Sequence, residues 1–167
     1  GTTTTDTTLG KSRVFNGTSD YVTLSNMQNA SEGSIAVLVK PNTMGSGKKF
    51  VIDDGAGYIH LGSSGTSPYN ISMLTFDTAA REAVSSSQYT GAYHAFEGTY
   101  KNGSAVTLDI DGTTRITGPS MTGNLGGVAA ALKIGKNGAE YTNMEMAEYR
   151  YSNIARSAAW VKTETLS

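Results

Sequence analysis

The sequence predicts an all-β protein built as a two-layer antiparallel sandwich, and three observations carry that prediction. First, between Tyr93 and Thr117 three strand-like runs, Tyr93–Tyr100, Ala105–Ile110 and Thr113–Thr117, are separated by Lys101-Asn102-Gly103-Ser104 and by Asp111-Gly112. Asn-Gly and Asp-Gly supply residues that take positive φ at little cost, so both breaks read as hairpin turns and the three runs as a β-meander. Second, Val106, Leu108 and Ile110 alternate with Thr107, Asp109 and Asp111, the period of a strand with one buried and one wet face. Third, 38% hydrophobic and 16% charged residues with 20 glycines suit many short strands and turns better than long helices.

The chain opens with Gly1 and a run of threonines around Asp6, and residues 1–11 read as an arm or linker of a processed product or of a piece of something longer. Residues 12–167 are expected to form one domain, long enough to bury a two-layer core without a metal or disulfide staple. Ser12–Phe15 and Tyr21–Leu24 flank a turn-rich break, Asn16-Gly17-Thr18-Ser19-Asp20. Gly33–Pro41, reading GSIAVLVKP, is apolar at both parities, as expected for a central strand covered on both faces, and Pro41 ends it because proline cannot donate to a ladder.

Shorter strands are expected at Lys49–Asp53, Tyr58–Gly62, Asn70–Phe76 and Arg81–Ser85, each bounded by Gly, Asp, Ser or Pro. Such spacing favours a sandwich over a βαβ fold. After the meander Gly118–Gly127 reads as a loop, and Ala131–Gly135 and Glu145–Ser152 as the last strands, joined through Lys136-Asn137-Gly138. Ser157–Glu164 is the one helical stretch, a turn or two docked by Trp160 and Val161.

Composition narrows the function. The formal net charge is −1, with lysines and arginines scattered singly or in pairs, so the footprint of a nucleic-acid binder is missing and no nucleic-acid partner is expected. No apolar run approaches the roughly 20 residues that cross a bilayer, and no membrane insertion is expected. Cysteine is absent, which removes disulfides, thiol catalysis and zinc–thiolate sites together and leaves the compartment open.

Several stretches resemble, in order, a known family. Val14–Val22 (VFNGTSDYV) looks like the F-D/N-G-x-x-D-Y-V opening of bacterial laminin-G-like domains, members of the concanavalin A-like jelly-roll group. GSIAVLVKP is similar to their strand ending W-V/F-K-P, with Leu38 where tryptophan is usual. Tyr93–Tyr100 (YHAFEGTY) resembles W-H-H-V-A-G-T-Y, Val106–Gly112 resembles V-x-L-Y-V-D-G, and Lys133–Asn137 resembles L-x-I-G-x-N. Glu148–Trp160 (EYRYSNIARSAAW) resembles the closing D-E-V-R-I-S-N-x-A-R-S-x-x-W.

The resemblance covers about Phe15 to Glu164 and implies an all-β, two-sheet antiparallel jelly-roll sandwich with one short C-terminal helix. It also implies that the Trp160 indole packs on the sandwich, which makes Trp160 a poor ligand platform. Such a sandwich hosts lectins, adhesins, enzyme accessory modules and structural domains.

Candidate sites follow from chemistry. A glycosidase needs two carboxylates about 5–9.5 Å apart. The tempting run Asp109-Ile110-Asp111 places alternate residues on one face, yet Asp111 precedes Gly112 in a turn, so no catalytic residues are assigned and no enzyme is expected. His94 shares the parity of Phe96 and is expected to wedge beside the core, whereas His60, flanked by Tyr58 and Ile59, is expected on an exposed face, where it could contact a sugar. Sugar binding wants an aromatic platform with fixed polar groups. Asp53, Asp54, Tyr58, His60 and Tyr69, from neighbouring strand ends, are the candidate ligand-binding set.

Calcium is the cofactor the resemblance suggests, with Asp20, Asp53 and Asp54 as oxygen donors. The family's closing-strand aspartate is here Ala147, beside Glu148. The leading expectation is therefore a non-catalytic recognition module, extracellular or on a cell or virion surface, binding carbohydrate or a surface protein, with multivalent display or assembly through the N-terminal arm. The alternative is a structural or decoration protein that mainly contacts other subunits; a glycoside hydrolase comes third.

Overall fold

Short strands with one apolar face each must stack those faces together, and this chain does so in two antiparallel sheets. The structure, a computed structural model, describes residues 3–6, 10–25, 29–43, 50–53, 58–64, 70–127 and 131–165. In chain order the elements are β1 (Thr3–Asp6), β2 (Gly10–Asn16), β3 (Val22–Thr23), β4 (Glu32–Pro41), β5 (Phe50–Asp53), β6 (Ile59–Ser63), β7 (Ile71–Phe76) and β8 (Ala80–Val84). They continue with β9 (His94–Lys101), β10 (Ala105–Ile110), β11 (Thr114–Ser120), β12 (Lys133–Ile134), β13 (Lys136–Asn137), β14 (Glu140–Tyr141), β15 (Asn143–Ser152) and one helix, α1 (Ala158–Thr165).

A seven-stranded sheet runs β1-β2-β15-β4-β9-β10-β11 and faces a six-stranded sheet ordered β3-β12-β5-β6-β7-β8. The predicted meander is β9-β10-β11, with Gly103 at φ 77° and Asp111-Gly112 at φ 52° and 63° in its turns. Between the sheets Ile35, Val37, Val39, Phe96 and Leu108 of the larger sheet meet Ile52, Ile59, Leu61, Ile71 and Met73 of the smaller.

Three local expectations change. The threonine-rich start includes β1, an edge strand paired with β2. The stretch read as a loop from Gly118 continues β11 to Ser120, because Pro119 lies on an edge strand at a register shift, where a missing N–H costs no ladder bond. Lys136-Asn137, read as a turn, instead pairs with Glu140-Tyr141 as a small hairpin.

β4 is central, between β15 and β9, but it is covered on both faces only at its start, where Ser34 on the outer side is 2% exposed; Ala36, Leu38 and Lys40 farther along that side are half-buried. The strand covered on both faces is β6, buried at every position.

β15 carries the feature that fixes the outer face. Met146 pairs with Val39 and Glu148 with the adjacent Leu38, so Ala147 is the extra residue of a β-bulge. Because side chains alternate with period two and Ala147 stands outside the alternation, even-numbered residues change sides beyond it: Met144 and Met146 point inward, Glu148, Arg150 and Ser152 outward, and Tyr149 and Tyr151 inward.

At the inner end of β15 the Asn29 N–H donates to the Tyr151 hydroxyl at 2.8 Å and the Tyr100 hydroxyl donates to the Asn29 carbonyl at 2.7 Å. The two tyrosine oxygens lie 3.1 Å apart, which closes a ring of hydrogen bonds. This ring locks the Tyr100 side chain over Gly33, where a Cβ would fall 2.8 Å from the Tyr100 ring carbons. Gly33→Ala is expected to cost about 1–3 kcal/mol, the range for overpacking a filled site, read as a lower urea midpoint at unchanged slope. A midpoint equal to that of the parent protein shows that the Tyr100 ring can yield.

Candidate functional site

On the outer face of the seven-stranded sheet the register sets Arg150, Ala36, Glu97, Asp109 and Arg115 in one row across β15, β4, β9, β10 and β11. The right-hand end of the row is self-contained. Arg115 donates from Nε to Asp109 Oδ1 at 2.9 Å and from Nη2 to Oδ2 at 2.7 Å, a bidentate pair that occupies both carboxylate oxygens. At the other end Arg150 Nε donates to Glu148 Oε1 at 2.5 Å.

Glu97, in the middle, is 5% exposed, and its Oε1 has no hydrogen-bond partner. Burial, and then the neighbouring Asp109 charge, push its carboxyl up to about 7, against the pull of Arg115, Arg156 and Arg150.

A strand residue on an outer face becomes this buried only if something roofs it. Here the roof is residues 154–157 and α1, tied down by β4. Ser34 Oγ donates to the Ile154 carbonyl at 3.1 Å and accepts from the Arg156 N–H at 2.8 Å, while Glu32 Oε2 accepts from the Ala155 N–H at 3.1 Å. That last bond, opposed by a smaller effect of burial and helped by Lys101, lowers the Glu32 carboxyl pKa. Ser157 caps α1, its Oγ accepting from the Trp160 N–H at 3.3 Å.

Val161, 1% exposed, docks the helix, but Trp160 does not join it: its indole is 37% exposed, against the expectation that it packs on the sandwich. Consecutive helical residues point about 100° apart, so burying Val161 turns Trp160 aside. The Arg156 guanidinium carbon lies 4.3 Å from the centroid of that indole, a cation–π contact, and Arg156 Nε is buried without a partner. Together Ser34, Ala36, Glu97, Arg150, Arg156 and Trp160 surround an open cavity of about 150 Å³. Ala36, the smallest member of the row after the backbone, leaves the space between Arg150 and Glu97.

Those of the residues selected from sequence that the structure describes lie elsewhere. Asp53 and His60 are paired backbone positions of β5 and β6, on the six-stranded sheet, and His60 is only 2% exposed. The Tyr58 ring packs under residues 126–127: a Cβ at Gly127 would fall 2.7 Å from Tyr58 Cε2. Asp54 and Tyr69 lie outside the described residues. His94 is wedged beside the core, its ring 5.0 Å from that of Tyr89, with Nδ1 2.8 Å from Asp111 Oδ2.

Asp111 also accepts the Ala95 N–H at 2.9 Å, and Asp109 belongs to Arg115, so the two aspartates of the tempting run serve different partners. For calcium, Asp20 Oδ2 accepts from the Asn16 N–H at 3.2 Å, and among the described residues no three His, Asp or Glu side chains converge on a metal position. Asp54 and the side chain of Asp53, the other two expected donors, lie outside what the structure describes.

Sequence reasoning missed Glu97, Arg150, Arg156 and Trp160. Glu97 had left a signal: it stands where the resembled W-H-H-V-A-G-T-Y strand carries alanine, an acid between Phe96 and Gly98 in the interior of a strand.

Residues 16–162 match the family described as the concanavalin A-like lectin/glucanases superfamily, of laminin G type. No curated protein matches the chain. Among solved structures, domain 4 of AbnA, a GH43 extracellular arabinanase from Geobacillus stearothermophilus in complex with arabinotriose, is similar with a TM-score of 0.78 at 17% identity, over 98% of this chain and 81% of that one.

The ligand-binding domain of botulinum neurotoxin serotype D, in complex with N-acetylneuraminic acid, is similar with a TM-score of 0.71 at 12% identity, over 93% of this chain and 42% of that one. This chain therefore spans less than half of that domain. A heptameric SAP-like pentraxin from Limulus polyphemus gives a TM-score of 0.68 at 11% identity, over 92% and 81% of the two chains. At these identities the likeness is one of fold.

The Glu97 carboxyl makes stability depend on pH. Its folded pKa of about 7 lies above the ordinary 4.5, so between those values the folded chain holds a proton that the unfolded chain releases, and stability falls as pH rises through that window. Glu97→Gln cannot ionise. It is expected to be more stable than the parent protein by roughly 1–3 kcal/mol at about pH 8 and to approach it at about pH 5, in urea unfolding at both values. Parallel pH dependence in the two proteins refutes the assignment.

Proposed function

The chain belongs to the concanavalin A-like lectin/glucanase superfamily, and from that membership we propose that it is a non-catalytic recognition module that binds carbohydrate in the cavity between the seven-stranded sheet and α1. The observation that carries this reading is that two side chains lining one cavity, Glu97 and Arg156, each hold a buried polar atom without a partner, the acceptor Oε1 and the donor Nε, beside an exposed indole. A sugar hydroxyl both donates and accepts, so it can satisfy either group once the side chain turns it toward the cavity, while the apolar face of the ring lies on Trp160.

Catalysis is disfavoured by the neighbouring pair. Asp109, opposite Glu97, has both oxygens on Arg115, which leaves one available carboxyl in the cavity where glycoside cleavage uses two. A cavity of about 150 Å³ is below the roughly 300–1,000 Å³ of sites that enclose a drug-sized ligand, so it accommodates a terminal residue rather than a chain. Affinity per module is then modest and display in many copies raises it. Work outside the cell or on a particle surface fits this use, and the AbnA domain, from an extracellular enzyme, was seen with arabinotriose.

A glycan array probed with the multivalently displayed chain tests the reading. Selective binding is expected, and Trp160→Ala is expected to weaken it about tenfold, in line with the loss of one aromatic contact. Ala36→Leu, which fills the cavity and removes no polar group, is expected to abolish it. Binding that survives both substitutions in folded protein moves the site elsewhere; silence of the parent protein on the array leaves the decoration-protein reading, in which the β1 edge offers its backbone to another subunit.

A further inference from the structure

Charge around the cavity is unevenly paired. Asp109 takes Arg115 and Glu148 takes Arg150, whereas Arg156 has no carboxylate partner among the described residues and rests on the Trp160 ring. Glu97 is the one acid among the described residues that line the cavity. Arg150 faces it from β15, Asp109 from β10, Arg115 from β11 and Arg156 from the segment before α1; β4 contributes only Ser34 and Ala36.

Resting on the carbohydrate reading of this cavity, the geometry points to an acidic sugar, whose carboxylate lies between the Arg156 guanidinium and the Glu97 carboxyl and whose ring lies on Trp160. A neutral sugar satisfies the orphaned atoms but leaves the Arg156 charge uncompensated. A carboxylate compensates it through charge-assisted hydrogen bonds, roughly twice as strong as neutral ones. Glu97 takes part as a donor: burial holds its carboxyl protonated up to about 7, and a carboxylic O–H donates to a carboxylate where an ionised one repels it.

An anion in the cavity further favours the protonated form, so binding and proton retention reinforce each other. Above that pH the Glu97 carboxylate competes with the ligand for Arg156. Affinity for the acidic sugar therefore falls as pH rises through the Glu97 titration, whereas affinity for a neutral sugar has no such charge to lose.

Trp160 is the only tryptophan of the chain, so intrinsic fluorescence reports on this cavity directly. The full chain is titrated with galacturonate, glucuronate and N-acetylneuraminate, with galactose and glucose as neutral counterparts and acetate as the bare anion. At about pH 6 at least one acidic sugar is expected to bind about tenfold more tightly than the neutral sugars, the ratio one charge-assisted hydrogen bond supplies, and to weaken severalfold by about pH 8.

Arg156→Gln is expected to erase the preference, and Glu97→Gln, an amide donor at every pH, to bind the acidic sugar equally at both pH values. Equal affinity for acidic and neutral sugars overturns the inference and leaves the carbohydrate reading intact. Acetate reproducing the full response overturns it in favour of a simple anion site. No response to any sugar, with the fold retained by circular dichroism, overturns the carbohydrate reading itself.

Discussion

The last strand of the chain lies inside the seven-stranded sheet, hydrogen-bonded to β2 on one side and to β4 on the other, and the rest of the structure depends on that insertion. From its inner face Met144 and Met146 complete the core and Tyr151 closes the hydrogen-bonded ring with Asn29 and Tyr100. From its outer face comes Arg150, and the segment that leaves it delivers Arg156 and Trp160 to Ser34. The floor of the cavity is thus built from β4 and β9, its wall and roof from the end of the chain. Pairings this distant in sequence form late and slowly, after local hairpins such as β9-β10-β11.

The polar row on the outer face shows what a neutral solution would look like and where it is abandoned. Asp109–Arg115 and Glu148–Arg150 are matched pairs, satisfied within the sheet. Glu97 and Arg156 are not, although both have buried polar atoms. Ser72 and Thr75 in β7 also hold buried hydroxyls without partners. Leaving a hydroxyl unpaired costs far less than leaving a carboxyl or guanidinium unpaired, so the two kinds of orphan differ in weight. Natural chains tolerate such conflicts mainly at sites where a ligand resolves them.

Much of the fold was legible because turns and alternation are local. Asn102-Gly103 and Asp111-Gly112 announced the meander, and the alternation of Val106, Leu108 and Ile110 set its buried face. The resemblance supplied the jelly roll, and the residues from Ser157 to Glu164 themselves located the closing helix to within a residue. The candidate site was not legible, because it is a property of register. The turn at Asn102-Gly103 sets β10 beside β9, but the other side of Glu97 follows from strand order, and nothing local in Ala36 or Arg150 says that β4 lies beside β9 and β15 beside β4. The same limit misjudged Trp160: the helix was right, but whether Trp160 or Val161 points inward depends on how α1 is rotated over the sheet. His60 erred the other way, since its outward parity on β6 hid that this strand is covered on both faces.

The bulge at Ala147 gives the closing strand one position where its length can change. Met146 pairs with Val39 and Glu148 with the adjacent Leu38, so the ladder runs on regularly past Ala147. A codon lost there would leave Met146 and Glu148 consecutive and opposite the same partners, with Arg150 outward and Tyr151 inward as before. A codon lost two positions on, at Tyr149, would instead turn Arg150 toward the core and Tyr151 toward solvent, exchanging the cavity face for the packing face in a single step.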